Sequence, residues 1–397
     1  MVITFVSNYI NHHQIPFCNA MEKVAGKGSF TFIQTSPMEK ERIEMGWAVD
    51  PKAYSYVELF YEDREKCEKL ISDSDVVIFG WSDELIENLE KKRLSSGKLS
   101  FRLSERIYRE GQWKAVSPRG LIKKYHQHFV YRQKPVYLLC AGAYVASDFD
   151  LIRCYPHKKL KWGYFPEISS INVDKEPISG RKVKICWAGR LIKLKHPEFA
   201  IKVAGLLKEK GYDFSLDIVG DGNQRQSLEK LTADMGLSDL VNFVGQKSPA
   251  EVLEYMKASD VFLFTSNYLE GWGAVVNEAM GCGCAVVASR EAGAVPFLIK
   301  NGYNGYSYVN GSFEDFSGKV LSLFENRENI EAFGGKARET IEKLWNAENA
   351  AKEFVRFCSE FLEGKEPIPA VDGPMSGAIN IRPAGFMRTM QEDNHLE

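Results

Sequence analysis

Two carboxylates lie eight residues apart around a glycine-rich stretch: Glu270 precedes Gly271-Trp272-Gly273, and Glu278 follows. An apolar run ends before this stretch and a helical pattern comes after it, so the glycines fall at a predicted helix start. N–H groups at a helix start attract anions, and these carboxylates suit neutral hydroxyls on either side of a bound phosphate. The alternative is a capping Glu plus a solvated helix Glu. The apolar neighbours of Glu278 would make an unpaired carboxylate there costly.

A second loop carries two cations after an earlier predicted strand. Gly189 ends that strand, and Arg190 and Lys195 come after it. A guanidinium fork and an ammonium group at a strand end suit a diphosphate. A solvated basic turn is the alternative, since Lys193 lies in the same stretch.

Both loops require strands that end at a common edge, each followed by a helix, and the chain shows that alternation twice. Short apolar runs predict strands at 2–6, 29–33, 75–79, 99–103 and 136–140, and again at 183–188, 214–219, 240–244, 261–265, 284–288 and 306–309. Helical periodicity is found at 15–24, 64–71, 197–208, 224–235, 249–258, 275–281, 313–324, 329–344 and 347–361. The pattern predicts an α/β fold with two doubly wound parallel sheets.

Residues 157–180 interrupt the alternation, because they are rich in Lys, Pro and Gly and have little periodicity. We therefore expect an N-terminal Rossmann-like domain at 1–165, a linker at 166–180 and a second Rossmann-like domain at 181–364. Residues 365–397 hold four prolines and no period, which predicts a mobile or partner-wrapped tail. Ligands of open α/β sheets bind beyond the carboxyl ends of the strands, so we expect the site in a cleft between the two domains.

The composition excludes several classes of protein. The 397 residues include 51 basic and 53 acidic side chains, a formal net charge of -2, which argues against a nucleic-acid binder. No apolar run approaches the roughly 20 residues that span a bilayer. The first six residues lack a basic region and a cleavage site, so we expect no signal peptide and a cytoplasmic location. Cys282 and Cys284 are the only close pair of cysteines, and buried thiols explain them better than a metal site.

The strand-end glycines do not form a dinucleotide fingerprint. Gly220-Asp221-Gly222 is followed by Asn223-Gln224-Arg225, so the third glycine of GxGxxG is missing. The first strand lacks the motif as well, since it ends in Ser7-Asn8-Tyr9. Both absences argue against a nicotinamide or flavin dehydrogenase. The Gly-Asp-Gly turn either admits a nucleotide or is a plain tight turn.

The order of these motifs resembles family four of the glycosyltransferases. The likeness rests on five stretches: Glu270 to Met280, Gly189-Arg190 with Lys195, Val219 to Gly222, Val244-Gly245, and Asn301 to Gly305. It is strong over 183–310 and weak elsewhere. It implies the GT-B fold, in which two Rossmann-like domains face each other across a cleft. It also implies a nucleotide-sugar donor, no metal ion or other cofactor, and transfer with retention at the anomeric carbon.

The resemblance also implies roles for individual residues. Arg190 and Lys195 would neutralise the donor diphosphate, and Glu270 would bind hydroxyls of the donor sugar. Glu278 would bind the nucleotide ribose. Backbone N–H groups of Gly271, Trp272 and Gly273 would contact the distal phosphate or the sugar. The remaining donor-binding candidates are strand-end glycines and residues facing the base: Gly189, Gly220, Gly245, Gln246 and Lys247.

The chain departs from the family pattern at two places. Ala294 and Phe297 stand where many members have glycine and glutamate. Many members also have a histidine after an N-domain strand, whereas here the strand is followed by Ser104-Glu105-Arg106. We predict that Glu105 takes that catalytic position, in preference to His126 and His128, which lie in a basic helical stretch.

The acceptor side falls in the N-terminal half if the resemblance holds. Asn11, His12 and His13 follow the first strand at a predicted helix start, and we expect them to contact the acceptor or a phosphate. Plain loop filling is the equal alternative.

Residues 91–128 carry a local excess of positive charge, with eleven Lys or Arg against two Glu. Apolar residues such as Trp113 and Ile122 are interleaved with these charges. The combination suits peripheral contact with an anionic membrane or a lipid-diphosphate acceptor. The alternative is a solvated basic face.

Together these features predict a retaining glycosyltransferase of the hexosyltransferase type. It would move a sugar from a nucleotide-diphosphate sugar to a glycan, lipid-linked or small-molecule acceptor in cell-surface polysaccharide or glycoconjugate synthesis. A nucleotide-sugar epimerase of the same fold and a non-catalytic sugar-nucleotide-binding protein are the alternatives.

Overall fold

The computed structural model describes residues 1–43, 48–81, 84–167 and 175–381. These residues divide into two compact units. The first comprises the described residues of 1–108, 112–167 and 344–381, and the second comprises 109–111 and 175–343. Each unit is built on a parallel β-sheet, as the alternation of strands and helices predicts.

The first unit contains seven described strands, which pair in the order β3-β2-β1-β4-β5-β6-β7. The strands are β1 (Ile3–Ser7), β2 (Phe30–Gln34), β3 (Val57–Leu59), β4 (Val76–Phe79), β5 (Ser100–Ser104), β6 (Val136–Ala141) and β7 (Lys159–Trp162). The helices before residue 152 are α1 (Ile15–Ala25), α2 (Lys40–Arg42), α3 (Arg64–Asp73), α4 (Glu87–Ser95), α5 (Pro118–Gln127) and α6 (Val145–Leu151). The central strands β1 and β4 are buried along their whole length, as a sheet covered on both faces requires.

The second unit contains six described strands in the order β10-β9-β8-β11-β12-β13. The strands are β8 (Val183–Ala188), β9 (Phe214–Val219), β10 (Val241–Gly245), β11 (Val261–Phe264), β12 (Ala285–Ser289) and β13 (Gly305–Tyr308). The helices are α7 (Glu198–Glu209), α8 (Arg225–Asp234), α9 (Pro249–Ala258), α10 (Ala274–Gly281), α11 (Val295–Leu298), α12 (Phe313–Glu325) and α13 (Glu328–Lys343). In both units the order reverses beside the first strand, which is the Rossmann arrangement.

The last helix, α14 (Ala347–Leu362), corrects the expected end of the second domain, because it belongs to the first unit. Its buried stripe includes Phe354, whose ring lies 4.7 Å from that of Phe101 and 6.0 Å from that of Trp162. The sequence pattern predicts this apolar stripe, but it does not predict the surface on which the stripe packs. The second unit therefore ends near residue 343 rather than at 364.

The tail predicted at 365–397 is also anchored in its described part, 365–381. Its backbone pairs with β7: the N–H of Lys161 donates to the carbonyl of Ser376 over 2.7 Å, and the N–H of Met375 donates to the carbonyl of Lys161 over 2.9 Å. Met375 is fully buried. Since β7 is an edge strand, this segment covers an otherwise open edge. Residues 382–397 lie outside the described part.

Two short strands escape the sequence pattern. β3 has only three residues, and β7 lies in the Lys-rich stretch at 157–180 that has little periodicity. The middle of the predicted linker, 168–174, lies outside the described residues.

Candidate active site

The strand order identifies one place in the second unit where two loops diverge above the sheet. β8 and β11 are parallel neighbours at the reversal of the order, with Val261 paired to Ile185. The loop after β8 turns towards β9 and that after β11 towards β12, which leaves a crevice at the carboxyl ends. Both loops singled out by the sequence begin here.

The glycines after β8 and β9 are required by close backbone packing. Gly220 has φ +135°, and a Cβ there would lie 1.9 Å from the carbonyl oxygen of Gly189. A Cβ on Gly222 would lie 2.4 Å from the carbonyl oxygen of Leu191. The N–H of Gly220 donates to the carbonyl of Gly245 over 2.9 Å. The Gly-Asp-Gly stretch is therefore a tight turn that holds three strand ends together, and donor contact by Gly189, Gly220 or Gly245 stays a prediction.

Lys195 is held at the site by hydrogen bonds between the two loops. It ends a single 3-10 turn, Lys193–Lys195, and its carbonyl accepts from the Thr265 hydroxyl over 2.6 Å. The Trp187 indole N–H donates to the same hydroxyl over 2.8 Å. The N–H of Asn267 donates to the carbonyl of Leu194 over 2.9 Å. These bonds fix the loop after β8 to the loop after β11.

The structure brings Lys195 and Glu270 together as an ion pair and hydrogen bond, with both side chains 17% exposed. Burial by itself would raise the pKa of the Glu270 carboxyl. The charge of Lys195, hydrogen bonds from Lys195 and Ser266, and the charge of Arg190 outweigh that effect and lower the pKa below its usual value. Glu270 is therefore ionised at neutral pH.

Arg190 lies on the same loop as Lys195 and is exposed. Among the hydrogen bonds and ion pairs of the described residues, none involves its guanidinium group. Its charge nevertheless acts on Glu270. Arg190 is thus a cation at the strand end whose donors are available to a ligand.

The glycine stretch begins helix α10 as predicted. Gly273 is the N-cap residue with φ +90°, and a Cβ there would lie 2.7 Å from the Phe264 ring. Within the described part of the chain, the backbone N–H groups of Gly271 and Gly273 donate to no protein acceptor. Such N–H groups at a helix start form an anion site. The Trp272 side chain is buried, and its indole donates to Asn277 over 2.8 Å, so the side chain is engaged within the protein.

Glu278 lies in the second turn of α10 and is half-buried. Burial raises the pKa of its carboxyl to about 7. The described residues provide it with neither a hydrogen-bond donor nor an ion-pair partner. This carboxyl therefore changes charge near neutral pH and retains its capacity to accept hydrogen bonds.

The residues predicted to face the base lie just beyond β10. Gln246 is exposed, whereas Lys247 is half-buried and pairs with Glu251 over 3.4 Å. Glu251 also forms a capping box with Ser248 at the start of α9. The Lys247 ammonium is thus engaged by Glu251. Contact of Gln246 or Lys247 with the nucleotide base stays a prediction.

In the first unit, Glu105 lies just beyond β5 and accepts a hydrogen bond from the Tyr164 hydroxyl over 2.7 Å. The ring of Tyr164 stacks on that of His13, with 5.7 Å between centroids and 14° between planes, and Trp81 lies 6.0 Å away. Sequence reasoning missed Tyr164 and Trp81. The sequence offered a signal for Trp81, which comes one residue after a glycine that follows the predicted strand at 75–79. It offered none for Tyr164, because the strand before it, β7, was not predicted.

The acceptor-side candidates belong to this cluster. The ring centroids of His12 and His13 are 3.9 Å apart. The Asn11 side-chain oxygen accepts a hydrogen bond from the backbone N–H of His13 over 3.0 Å. Burial, then the nearby His12, lowers the pKa of His13 to about 3, and burial lowers the pKa of His12. His13 is therefore a neutral imidazole at physiological pH, which suits hydroxyl recognition better than phosphate binding.

A polar cavity of about 410 Å³ opens beside the same strand ends. His128 at its wall is buried against Arg102 and Tyr155, and burial holds its pKa well below the usual value, so its role is structural. Besides His128, the cavity is lined by the Trp81 ring, three carboxylates and four further basic groups, namely Glu84, Glu87, Glu90, Lys91, Arg102, Lys123 and His126. Neither Glu105 nor the Asn11–His13 loop is part of this lining.

A family comparison is decisive for the second unit, because residues 169–340 match the model of the family described as glycosyl transferases group 1. These residues are a group 1 glycosyltransferase domain. It contains Arg190, Lys195, Glu270, Glu278 and the glycine turn between them. The match includes the stretch over which the motifs resemble the glycosyltransferases, 183–310, and it covers less than half of the chain.

Two curated relatives each match about half of this chain. An uncharacterized glycosyltransferase of Methanocaldococcus jannaschii is 31% identical over 199 residues, 49% of this chain and 50% of the relative. The amylovoran biosynthesis glycosyltransferase AmsK of Erwinia amylovora is 28% identical over 228 residues, 53% of this chain and 54% of the relative. The chain thus spans about half the length of these relatives.

The solved structure of HepE from Anabaena in complex with UDP matches 92% of this chain and 100% of its own, with a TM-score of 0.66 and 15% identity. At that identity the likeness shows the fold alone, and it confirms the predicted GT-B fold class. Within the described residues, no helix is long and apolar enough to cross a membrane. The same residues contain no cluster of three His, Cys, Asp or Glu side chains suited to a metal ion.

Proposed function

We propose that this chain is a glycosyltransferase that moves a sugar from a nucleoside-diphosphate sugar to a hydroxyl acceptor. The observation that carries the proposal is the Lys195–Glu270 pair beside the unpaired N–H groups of Gly271 and Gly273, with Arg190 on the adjacent loop. This arrangement lies at the crevice where α/β sheets bind nucleotides, within a group 1 glycosyltransferase domain.

In this proposal the donor diphosphate binds Arg190, Lys195 and the N–H groups at the start of α10. These donors are arranged before the reaction, so they stabilise the negative charge that develops on the departing diphosphate. The ionised Glu270 would accept hydrogen bonds from the sugar hydroxyls. It also holds the Lys195 ammonium in place between reaction cycles.

Glu278 would bind the ribose of the nucleotide. Its carboxyl has no protein partner among the described residues, and two ribose hydroxyls would provide the missing donors. A hydrogen bond to a charged acceptor contributes about 1.5–3 kcal/mol, which offsets the cost of ionising a half-buried carboxyl. Supporting this use of the site, a structural neighbour was solved with UDP.

We propose that transfer retains the anomeric configuration. The bond between the anomeric carbon and the phosphate oxygen breaks, and a bond to the acceptor oxygen forms on the same face. The acceptor proton passes to the departing phosphate oxygen. No enzyme nucleophile is required, and Glu270, the carboxylate proposed to contact the donor sugar, is engaged by Lys195.

For the acceptor we propose a hydroxyl of a glycan, lipid-linked or small-molecule compound bound by the first unit. The neutral imidazole of His13, the Glu105 carboxylate and the rings of Tyr164 and Trp81 are the groups that support this assignment. Sugars are bound by such combinations, since rings contact the apolar sugar face and carboxylates accept from hydroxyls. We include a role in polysaccharide or glycoconjugate synthesis in this proposal, which is supported by the name of the relative AmsK, an amylovoran biosynthesis glycosyltransferase.

The proposal is tested by incubating the purified chain with uridine, guanosine and adenosine diphosphate sugars and measuring release of nucleoside diphosphate, with and without oligosaccharide acceptors. We expect one nucleotide class to raise the melting temperature and to be consumed in an acceptor-dependent manner. NMR of the product reports the anomeric configuration. Conversion of a donor into its epimer without acceptor would establish an epimerase instead. Binding of a nucleotide without consumption of any donor would indicate a non-catalytic nucleotide-binding protein instead.

A further inference from the structure

Helix α5 projects an apolar face that the protein itself does not cover. None of its ten residues is buried. Ile122 is 62% exposed, Tyr125 50% and Leu121 43%. Tyr125 comes three positions after Ile122 and four after Leu121, so it neighbours both on one side of the helix. In the turn before the helix, Val116 is 77% exposed. Isolated exposed apolar residues are common, but such a group on one helix indicates an interaction surface.

The apolar face continues into a groove. A cavity of about 380 Å³ is lined by apolar and aromatic residues together with two basic ones, namely Leu121, Ile122, Tyr125, Phe129 and Ile152 with Lys124 and His126. The Tyr125 and Phe129 rings stack, with 5.2 Å between their centroids, and form one wall. We call the exposed residues of α5, Val116 and this groove the α5 face.

The charge on α5 and on the chain that flanks it has one sign. From 111 to 147 the sequence holds six basic residues and no Asp or Glu. Arg119 and Lys123 are exposed on α5 itself, and Lys114 lies beside Trp113 in the preceding turn. The carboxylate that acts on Lys123 from the neighbouring helix α4 is Glu87, which pairs with Lys91 over 2.6 Å. The α5 face is therefore basic and apolar at once.

From these observations we infer that the α5 face docks on the surface of an anionic lipid bilayer. Insertion of Ile122, Leu121 and Val116 among the acyl chains removes their surface from water, while Arg119 and Lys123 meet the anionic head groups. A second copy of the chain would bring two basic faces together, which is unfavourable. Because the whole chain carries a formal net charge of -2, this attraction comes from the local excess of basic residues and not from the charge of the chain as a whole.

The docking surface lies next to the polar cavity described above. Lys123 and His126 of α5 line that cavity, and His126 lines the apolar groove as well. A molecule with a polar head and a lipid tail would meet the cavity and the groove on either side of one helix. Under the proposed function, the acceptor most compatible with this arrangement is lipid-linked, although docking itself does not depend on that function.

The experiment is flotation of the full-length chain with vesicles of phosphatidylcholine, either pure or containing about one third phosphatidylglycerol. We expect binding to the anionic vesicles alone, weakened as salt is raised from about 0.1 M to about 0.5 M. Ile122→Glu should weaken binding about tenfold. The matched control is Ile379→Glu, which changes an isoleucine of similar exposure, 65%, outside the α5 face.

The charge contribution is tested by the double variant Arg119→Glu and Lys123→Glu, with Lys27→Glu and Lys210→Glu as a control of equal net charge. Loss of two basic residues near an anionic surface is expected to weaken binding about 30-fold or more, and the control should bind within about twofold of wild type. Equal losses in both pairs, or failure of the wild-type chain to float, would overturn the inference. A dimer in light scattering that Ile122→Glu dissociates would also overturn it. Flotation needs no donor, so its outcome is independent of the glycosyltransferase assay.

Discussion

Replacing Glu278 with glutamine should stabilise the second unit, and the gain should grow as the pH rises. Burial raises the pKa of this carboxyl to about 7, against an ordinary value of 4.5 in the unfolded chain. The native state therefore holds a proton that the unfolded state releases between these values. The stability contributed by the protonated carboxyl is fully present below pH 4.5 and is lost as the pH rises through 7.

The magnitude follows from the two pKa values. Linkage gives a loss of about 1 kcal/mol at pH 5 and about 3 kcal/mol at pH 8, relative to a carboxyl that never ionises. Glu278→Gln has no such loss and keeps nearly the same shape. The variant should therefore gain about 1 kcal/mol over wild type at pH 5 and about 3 kcal/mol at pH 8.

The assay is urea denaturation of both proteins at pH 5 and pH 8, with unfolding free energies extrapolated to water. Glu209→Gln is the control, because Glu209 is exposed at the end of α7 and belongs to none of the ion pairs of the described residues. The reasoning would be refuted if Glu278→Gln gained the same free energy of unfolding at both values of pH. It would also be refuted if Glu209→Gln showed the same pH-dependent gain as Glu278→Gln.

The same ionisation should govern nucleotide binding if Glu278 holds the ribose. With a pKa of about 7, the ionised fraction rises from roughly one tenth at pH 6 to roughly nine tenths at pH 8. Nucleoside diphosphate affinity should rise several-fold over that range in wild type. In Glu278→Gln it should be weaker by about tenfold at pH 8 and nearly independent of pH. Titration calorimetry at the two values of pH measures both effects.

Three further variants test other parts of the structure. Arg190→Ala should slow nucleoside diphosphate release about 100- to 1000-fold, by analogy with a lost oxyanion donor, without lowering the melting temperature; Lys210→Ala is the control, and full activity would exclude the assigned role. Gly220→Ala should cost more than about 3 kcal/mol of unfolding free energy, because its Cβ meets the Gly189 carbonyl, whereas Gly211→Ala, also at positive φ but in open space, should cost about 1 kcal/mol. Phe354→Ala should destabilise the first unit by about 3–5 kcal/mol and leave nucleotide binding by the second unit intact, and limited proteolysis that opens the second unit instead would contradict the placement of α14.

The sequence by itself determines the local chemistry of the chain. The alternation of apolar runs with amphipathic stretches predicts both Rossmann-like sheets, because strand and helix periods are local properties of the sequence. The helix start at Gly273 is equally local, since a glycine turn that precedes an amphipathic run has few other conformations. The family motifs then indicate Arg190, Lys195, Glu270 and Glu278 as residues of one site.

What the tertiary structure decided concerns partners far apart in the chain. The sequence offered two loops, after β8 and β11, and only the order of the strands makes them neighbours, so that Lys195 meets Glu270 across 75 residues. In the same way α14 shows its apolar stripe in sequence, but its packing on Phe101 places it in the first unit. Tyr164 reaches Glu105 over 59 residues and escaped notice for that reason. A sequence determines which surfaces need covering, whereas the choice among compatible surfaces depends on shape and register, which exist only once the sheets have formed.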